Sequence, residues 1–167
     1  QRIPPAIQSF TGITNEMVAD APTFDDLRAE VRARLEGRLF VAHNARFDYG
    51  FVRSEFRRVG EKFSAPVLCT VRLSRMLFAE HNRHNLDTLI ERWSLQCGQR
   101  HRALGDAAVL PDLLAAFEGA VGAERVQQVI EALRFEARLP PHLPPDLADD
   151  LPEGPGVYLF RGEGGAL

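Results

Sequence analysis

The chain is poor in residues that would staple it, anchor it in a bilayer or make it a polyelectrolyte. Only two cysteines, Cys69 and Cys97, occur in 167 residues. Both sit in apolar or helical settings, which excludes a disulfide framework and sets the expectation of a reducing, cytoplasmic location. No apolar run reaches membrane length and nothing reads as a signal peptide, so no membrane partner is expected. Lysine is nearly missing: Lys62 stands alone among twenty basic residues. Because Ala, Leu and Gly are also abundant, codon bias explains the arginine excess as well as phosphate recognition does. A net charge of -3 and a pI near 6.0 separate the chain from dedicated, strongly basic nucleic-acid binders. They leave room for an enzyme that grips a few nucleotides. What is present, 45% hydrophobic and 26% charged residues, suits one globular domain with a modest appendage.

The organising stretch runs from Ala42 to Val52. Leu39-Phe40-Val41-Ala42 is a short apolar run that reads as a buried strand. Asn44 has the side chain of a helix N-cap, and Ala45 to Val59 carries helical periodicity up to Gly60. Along that helix Asp48, Val52, Phe56 and Val59 fall at i, i+4, i+8 and i+11, so a carboxylate heads the stripe that the apolar residues bury. Two placements are open to Asp48: at the rim, wet or in a salt bridge, or against a cation that offsets its desolvation.

Elsewhere the signals alternate between strand and helix. Residues 1–21 read as a loop with short helical turns at most. Thr23 with Asp26 reads as a variant capping box for a helix through Phe24, Leu27, Val31 and Leu35, closed by Gly37. Pro66 to Thr70 is a second short strand, leading into a helix through Leu73, Met76 and Leu77. His81 and His84 read as surface-loop residues, and Asn85 as the cap of a helix carrying Leu86, Leu89, Ile90 and Trp93. Next comes a helix to Phe117, in which Pro111 should kink the first turns. Asp106, Leu110, Leu113 and Phe117 repeat the placement of Asp48, a second carboxylate heading a buried stripe, and His101 stands just before it. Glu124 to Leu133 reads as a further helix. Past Leu139, prolines interleaved with Asp146, Asp149 and Asp150 form a semi-rigid linker, and Gly156 to Phe160 is a strand candidate without a partner. The chain is therefore expected to stop inside a further domain.

Two aspartates from separate helices with a histidine beside one suit a hard divalent cation, Mg²⁺ or Mn²⁺, held by few carboxylates plus substrate phosphate. Two-metal phosphodiester hydrolysis, with ions about 3.5–4 Å apart, is the reaction class that uses such sites. In it Asp48 and Asp106 would be ligands and His101 the base. Two carboxylates are few for two ions.

His43-Asn44-Ala45-Arg46-Phe47-Asp48 resembles the second motif of the DEDDh (DnaQ-like) 3'-5' exonucleases, and His101-Arg102-Ala103-Leu104-Gly105-Asp106-Ala107 resembles the third. That family includes the epsilon proofreading subunit of bacterial DNA polymerase III. The segment from Ile3 to Phe24 is similar to the stretch downstream of the family's first motif. The resemblance implies an α/β, ribonuclease-H-like exonuclease sandwich, with metal ligands at Asp48 and Asp106 and the general base at His101. The family's first motif, an Asp-x-Glu on the first strand, would lie upstream of Gln1. By that reading the sandwich is truncated at its N-terminus, and the chain alone is expected to have little or no activity. Leu151 to Phe160 resembles the opening of a GIY-YIG nuclease domain of the UvrC type.

These expectations divide the chain into an exonuclease domain over 1–119, a helix and Pro-rich linker over 120–150, and the start of a GIY-YIG-like domain over 151–167. The expected activity is metal-dependent 3'-5' hydrolysis of DNA in proofreading or repair. Single-stranded 3' ends are the expected partner, RNA the second candidate, and a polymerase or repair complex the expected setting. Two divalent cations would serve it, with His43, Asn44, Arg46 and Phe47 as candidates for touching substrate. The alternative is a non-catalytic nucleic-acid-binding or adaptor module that keeps the exonuclease fold.

Overall fold

The computed structural model describes residues 2–98 and 103–136, the last three of these by backbone alone. His101, the Pro-rich linker and the GIY-YIG-like tail lie outside the described residues. The chain divides after Phe135. In order, the elements are α1 (Pro5–Thr11), α2 (Phe24–Leu35), β1 (Phe40–Ala42), α3 (Ala45–Arg58), β2 (Val67–Cys69), α4 (Thr70–Leu77), α5 (Leu86–Arg92), α6 (Ala103–Ala108), α7 (Leu110–Val121) and α8 (Ala123–Glu136).

Both expected strands form, and they pair in parallel with Phe40 opposite Val67, Val41 opposite Leu68 and Ala42 opposite Cys69. Each runs directly into a helix, so the two carboxyl ends lie side by side. The strands are apolar on both faces because both faces are covered. Val41 and Leu68 belong to the main core, which Leu73, Phe78, Leu89, Leu113 and Phe117 fill and Val126, Val129 and Leu133 of α8 complete. Phe40 turns the other way, toward an aromatic cluster in which its ring lies 5.5 Å from Tyr49. In that cluster Phe56 is fully buried, stacked on Phe63 at 4.8 Å and edge-on to Phe24 at 5.0 Å. Arg32 lies over the Phe56 ring at 4.7 Å and reaches Glu61 at 2.7 Å, tying α2 to the loop after α3.

The capping box at Thr23 is present: its side chain accepts from Asp26 N–H, and Thr23 N–H donates to Asp26 Oδ2 at 2.8 Å. Four expectations need correction. Residues Pro5–Thr11 make a full helix rather than a loop with turns; Pro5 opens it and Gly12, at φ 68°, closes it. Asn44 begins α3 in the left-handed region, φ 66°, with no side-chain cap hydrogen bond. It serves by tolerating that conformation rather than by capping. His84 is buried, because Ser74 Oγ lies 2.8 Å from its Nδ1 and the His81 carbonyl 2.8 Å from its Nε2, so both ring nitrogens are satisfied inside the protein. The helix expected to reach Phe117 without interruption is two helices. It breaks at Val109, and Pro111 falls in the first turn of α7, where its missing N–H costs nothing.

Phe56→Ala should cost about 3–5 kcal/mol of unfolding free energy, the usual penalty for an emptied aromatic site. A lowered urea midpoint with an unchanged slope would show it; a loss under about 1 kcal/mol would mean that Phe56 does not anchor α3.

Candidate active site

The turn from β1 into α3 places His43 and Asn44 at the end of the strand, with Phe47 and Asp48 in the first turn of the helix. Together with Asn85 and Asp87 at the start of α5, and Ala103, Asp106 and Ala107 on α6, they line a cleft of about 340 Å³. Val41, Ala42, Leu86 and Leu110 supply its apolar lining. The cleft lies at the carboxyl end of β1, beside the turn into α3.

Asp48 and Asp106, on separate helices, therefore line one cleft. Asp48 is exposed as a residue, yet partial burial of its carboxyl by the cleft walls pushes its pKa up, against the opposing pull of a backbone hydrogen bond. Asp106 is half-buried and its Oδ1 is screened from water. Next to it, the Cys97 thiol donates to the Gly105 carbonyl at 3.7 Å and draws α6 toward the chain before it. Both cysteines are free thiols.

Of the substrate-binding candidates, His43, Asn44 and Phe47 line the cleft; Arg46 is exposed and is not among its walls. The Phe47 ring is 62% exposed and meets the Phe51 ring edge-on at 4.8 Å, so it is a surface aromatic rather than core packing. Asn85 and Asp87 join the cleft without having been expected there. For Asp87 a partial signal exists: like Asp48 and Asp106 it is the acidic residue in the first turn of its helix, although it heads no apolar stripe.

The donor set fits a hard cation. Two aspartates line a shared cleft, and one carboxyl carries a desolvation cost that a cation would offset. Among the described residues no group of three or more His, Cys, Asp or Glu is placed to hold an ion.

Residues 1–114 match the family model RNase_T, described as Exonuclease. The chain belongs to this exonuclease family. Over 170 residues it is 37% identical to a Mycobacterium tuberculosis (strain CDC 1551 / Oshkosh) protein whose name describes a bifunctional exonuclease/endonuclease, spanning 99% of this chain and 26% of that protein. It is 43% identical over 110 residues to the 3'-5' exonuclease DinG of Bacillus subtilis (strain 168), covering 64% of this chain and 12% of DinG. The chain thus spans about a quarter or less of these two relatives. Among solved structures, Exonuclease X in complex with 5' overhanging duplex DNA aligns with a TM-score of 0.57 and 28% identity, covering 78% of this chain and 75% of that one. The α/β ribonuclease-H-like fold class agrees with that likeness. No helix among the described residues is long and apolar enough to cross a membrane.

The raised pKa of Asp48 has a consequence for stability. A carboxyl raised on folding binds protons more readily in the native state than in the unfolded one. Its contribution is therefore fully present below the unfolded pKa and is lost as pH rises through the folded pKa. Asp48→Asn should raise the thermal midpoint at pH 7, and the gain should vanish below about pH 4. Scanning calorimetry across that range checks it; a variant less stable than the parent chain at pH 7 would show that the carboxylate is stabilising where it stands.

Proposed function

We propose that this chain is the catalytic-cleft portion of a metal-dependent 3'-5' exonuclease of the DEDDh type, acting on single-stranded 3' ends of DNA. The observation that carries the reading is that Asp48 and Asp106, from separate helices, line one cleft at the carboxyl end of β1. The DinG relative named a 3'-5' exonuclease supports the polarity. The Exonuclease X neighbour, described with a DNA duplex, supports DNA as substrate. The relative named for both exonuclease and endonuclease functions, similar over 99% of this chain, supports a fused endonuclease module, which we read from Leu151 to Phe160 as GIY-YIG-like.

In this reading Asp48 and Asp106 would supply carboxylate ligands to Mg²⁺ or Mn²⁺. When bound, the ions supply Lewis acidity and neutralise charge building on the phosphate. The exposed Phe47 ring offers the terminal base a stacking surface, worth about 1–3 kcal/mol per base in single-strand binders. His43 and Asn44 line the wall beside it, and the left-handed turn at Asn44 is what lets the strand end so close to the helix that carries Asp48. His101 takes the proton from the attacking water, the general-base role to which an imidazole is suited. The water oxygen bonds to phosphorus as the scissile P–O3' bond breaks, O3' takes up a proton from solvent, a nucleoside monophosphate leaves, and the shortened strand keeps a 3'-hydroxyl.

The test uses a longer protein that carries this chain together with an Asp-x-Glu segment before it. His101→Ala should lower Mn²⁺-dependent release of nucleotides from single-stranded DNA by about 10²- to 10⁴-fold, the usual contribution of a general base. Asp106→Asn should do at least as much, both variants keeping the parent's thermal midpoint. Full activity in His101→Ala would remove the histidine from the mechanism. Oligonucleotide binding without hydrolysis by the unaltered protein would replace this reading with that of a nucleic-acid-binding module.

A further inference from the structure

Thr70 is fully buried at the first position of α4, one residue past the end of β2. A threonine hydroxyl there needs partners, since an unsatisfied buried hydroxyl is costly. It finds two, and both belong to the other strand's exit. Thr70 Oγ1 donates to the Ala42 carbonyl at 3.4 Å and lies 2.9 Å from Nδ1 of His43. Ala42 is the register partner of Cys69, so the hydroxyl bridges the ends of two strands at the point where both chains leave the sheet.

A hydroxyl has one proton to give and lone pairs with which to accept. With its proton directed at the Ala42 carbonyl, it can meet His43 only as an acceptor, which requires the proton of the neutral ring to be on Nδ1. The lone pair is then on Nε2, an atom held inside the protein. His43 lines the cleft and directly precedes Asn44, whose left-handed conformation starts the helix that carries Asp48. Holding the ring therefore holds the turn.

We propose that Thr70 is a positioning residue of the cleft: its hydroxyl fixes His43 as the Nδ1–H tautomer and pins the His43-Asn44 turn to the end of β2. The tautomer is independent of what the cleft binds; the effect on substrate rests on the exonuclease reading.

The experiment is two-bond ¹H–¹⁵N correlation of the histidine rings in the ¹⁵N-labelled chain at about pH 8, where an ordinary imidazole is neutral. The His43 ring is identified by its loss in His43→Gln. The expected result is a protonated Nδ1 in the parent chain, a shift toward Nε2–H in Thr70→Val, and recovery of the parent pattern in Thr70→Ser, which keeps the hydroxyl. An Nε2–H ring in the parent chain overturns the proposal whether or not Thr70→Val folds. An unchanged ring in a folded Thr70→Val, judged by Trp93 emission, overturns it as well. In parallel, anisotropy of a fluorescein-labelled single-stranded oligothymidylate is measured with the same proteins. Thr70→Val should bind about three- to tenfold more weakly, the scale of one hydrogen bond, and Thr70→Ser like the parent. If the parent chain shows the Nδ1–H ring but no oligonucleotide binding, the nucleotide reading of the cleft falls and the positioning of His43 stands.

Discussion

Parallel pairing of two three-residue strands is the constraint on which the other features depend. Antiparallel strands would have sent β1 and β2 out at opposite ends, and the helices after them would have had no common wall. Because the pairing is parallel and in register from Phe40–Val67 to Ala42–Cys69, both chains leave the sheet at one edge. The turn carrying His43 and the start of α4 then meet there. A sheet this small cannot hold itself together. It is held by the helical core on the Val41–Leu68 face and by the aromatic cluster of Phe56 and Phe63 on the other, so the cleft's geometry rests largely on side chains such as Phe56, Phe63, Leu113 and Phe117 that do not line it.

The same dependence explains how far the sequence is legible. Elements marked by local chemistry can be read from it: the Thr23–Asp26 box, the apolar strands at Phe40 and Val67, and the periodicity of Phe56 and Leu113 all depend on neighbours within a few residues. The common cleft of Asp48 and Asp106 is legible only in part: each carboxylate heads an apolar stripe, but the stripes are buried in different places, that of Phe56 in the aromatic cluster and that of Leu113 and Phe117 in the main core. Features that depend on distant partners or on backbone geometry are not legible. The polarity of His84 suggests solvent, and only the fold brings Ser74 to its ring. Asn44 looks like a capping side chain, but capping and left-handed tolerance favour the same residue.

The break at Val109 is the more instructive case. Asp106, Leu110, Leu113 and Phe117 keep helical spacing straight across it, so periodicity alone cannot see the joint. Pro111 looks like a strain inside one helix, whereas the chain uses it to begin another. Asp87 escapes notice for a different reason. It heads no apolar stripe, and its place in the cleft comes from the direction in which α5 leaves its loop.

That joint separates two properties that most folds bind together. Leu110, Leu113 and Phe117 of α7 are buried in the main core, whereas α6, six residues long, carries Asp106 and buries none of its own side chains completely. Substitutions at Leu113 and Phe117 of α7 therefore act on the free energy of unfolding, substitutions on α6 act on the cleft, and Leu110, which belongs to both core and cleft lining, couples the two. A sequence evolving under this arrangement can retune the cleft from α6 without emptying the core, and can gain or lose stability at Leu113 and Phe117 without altering the cleft lining.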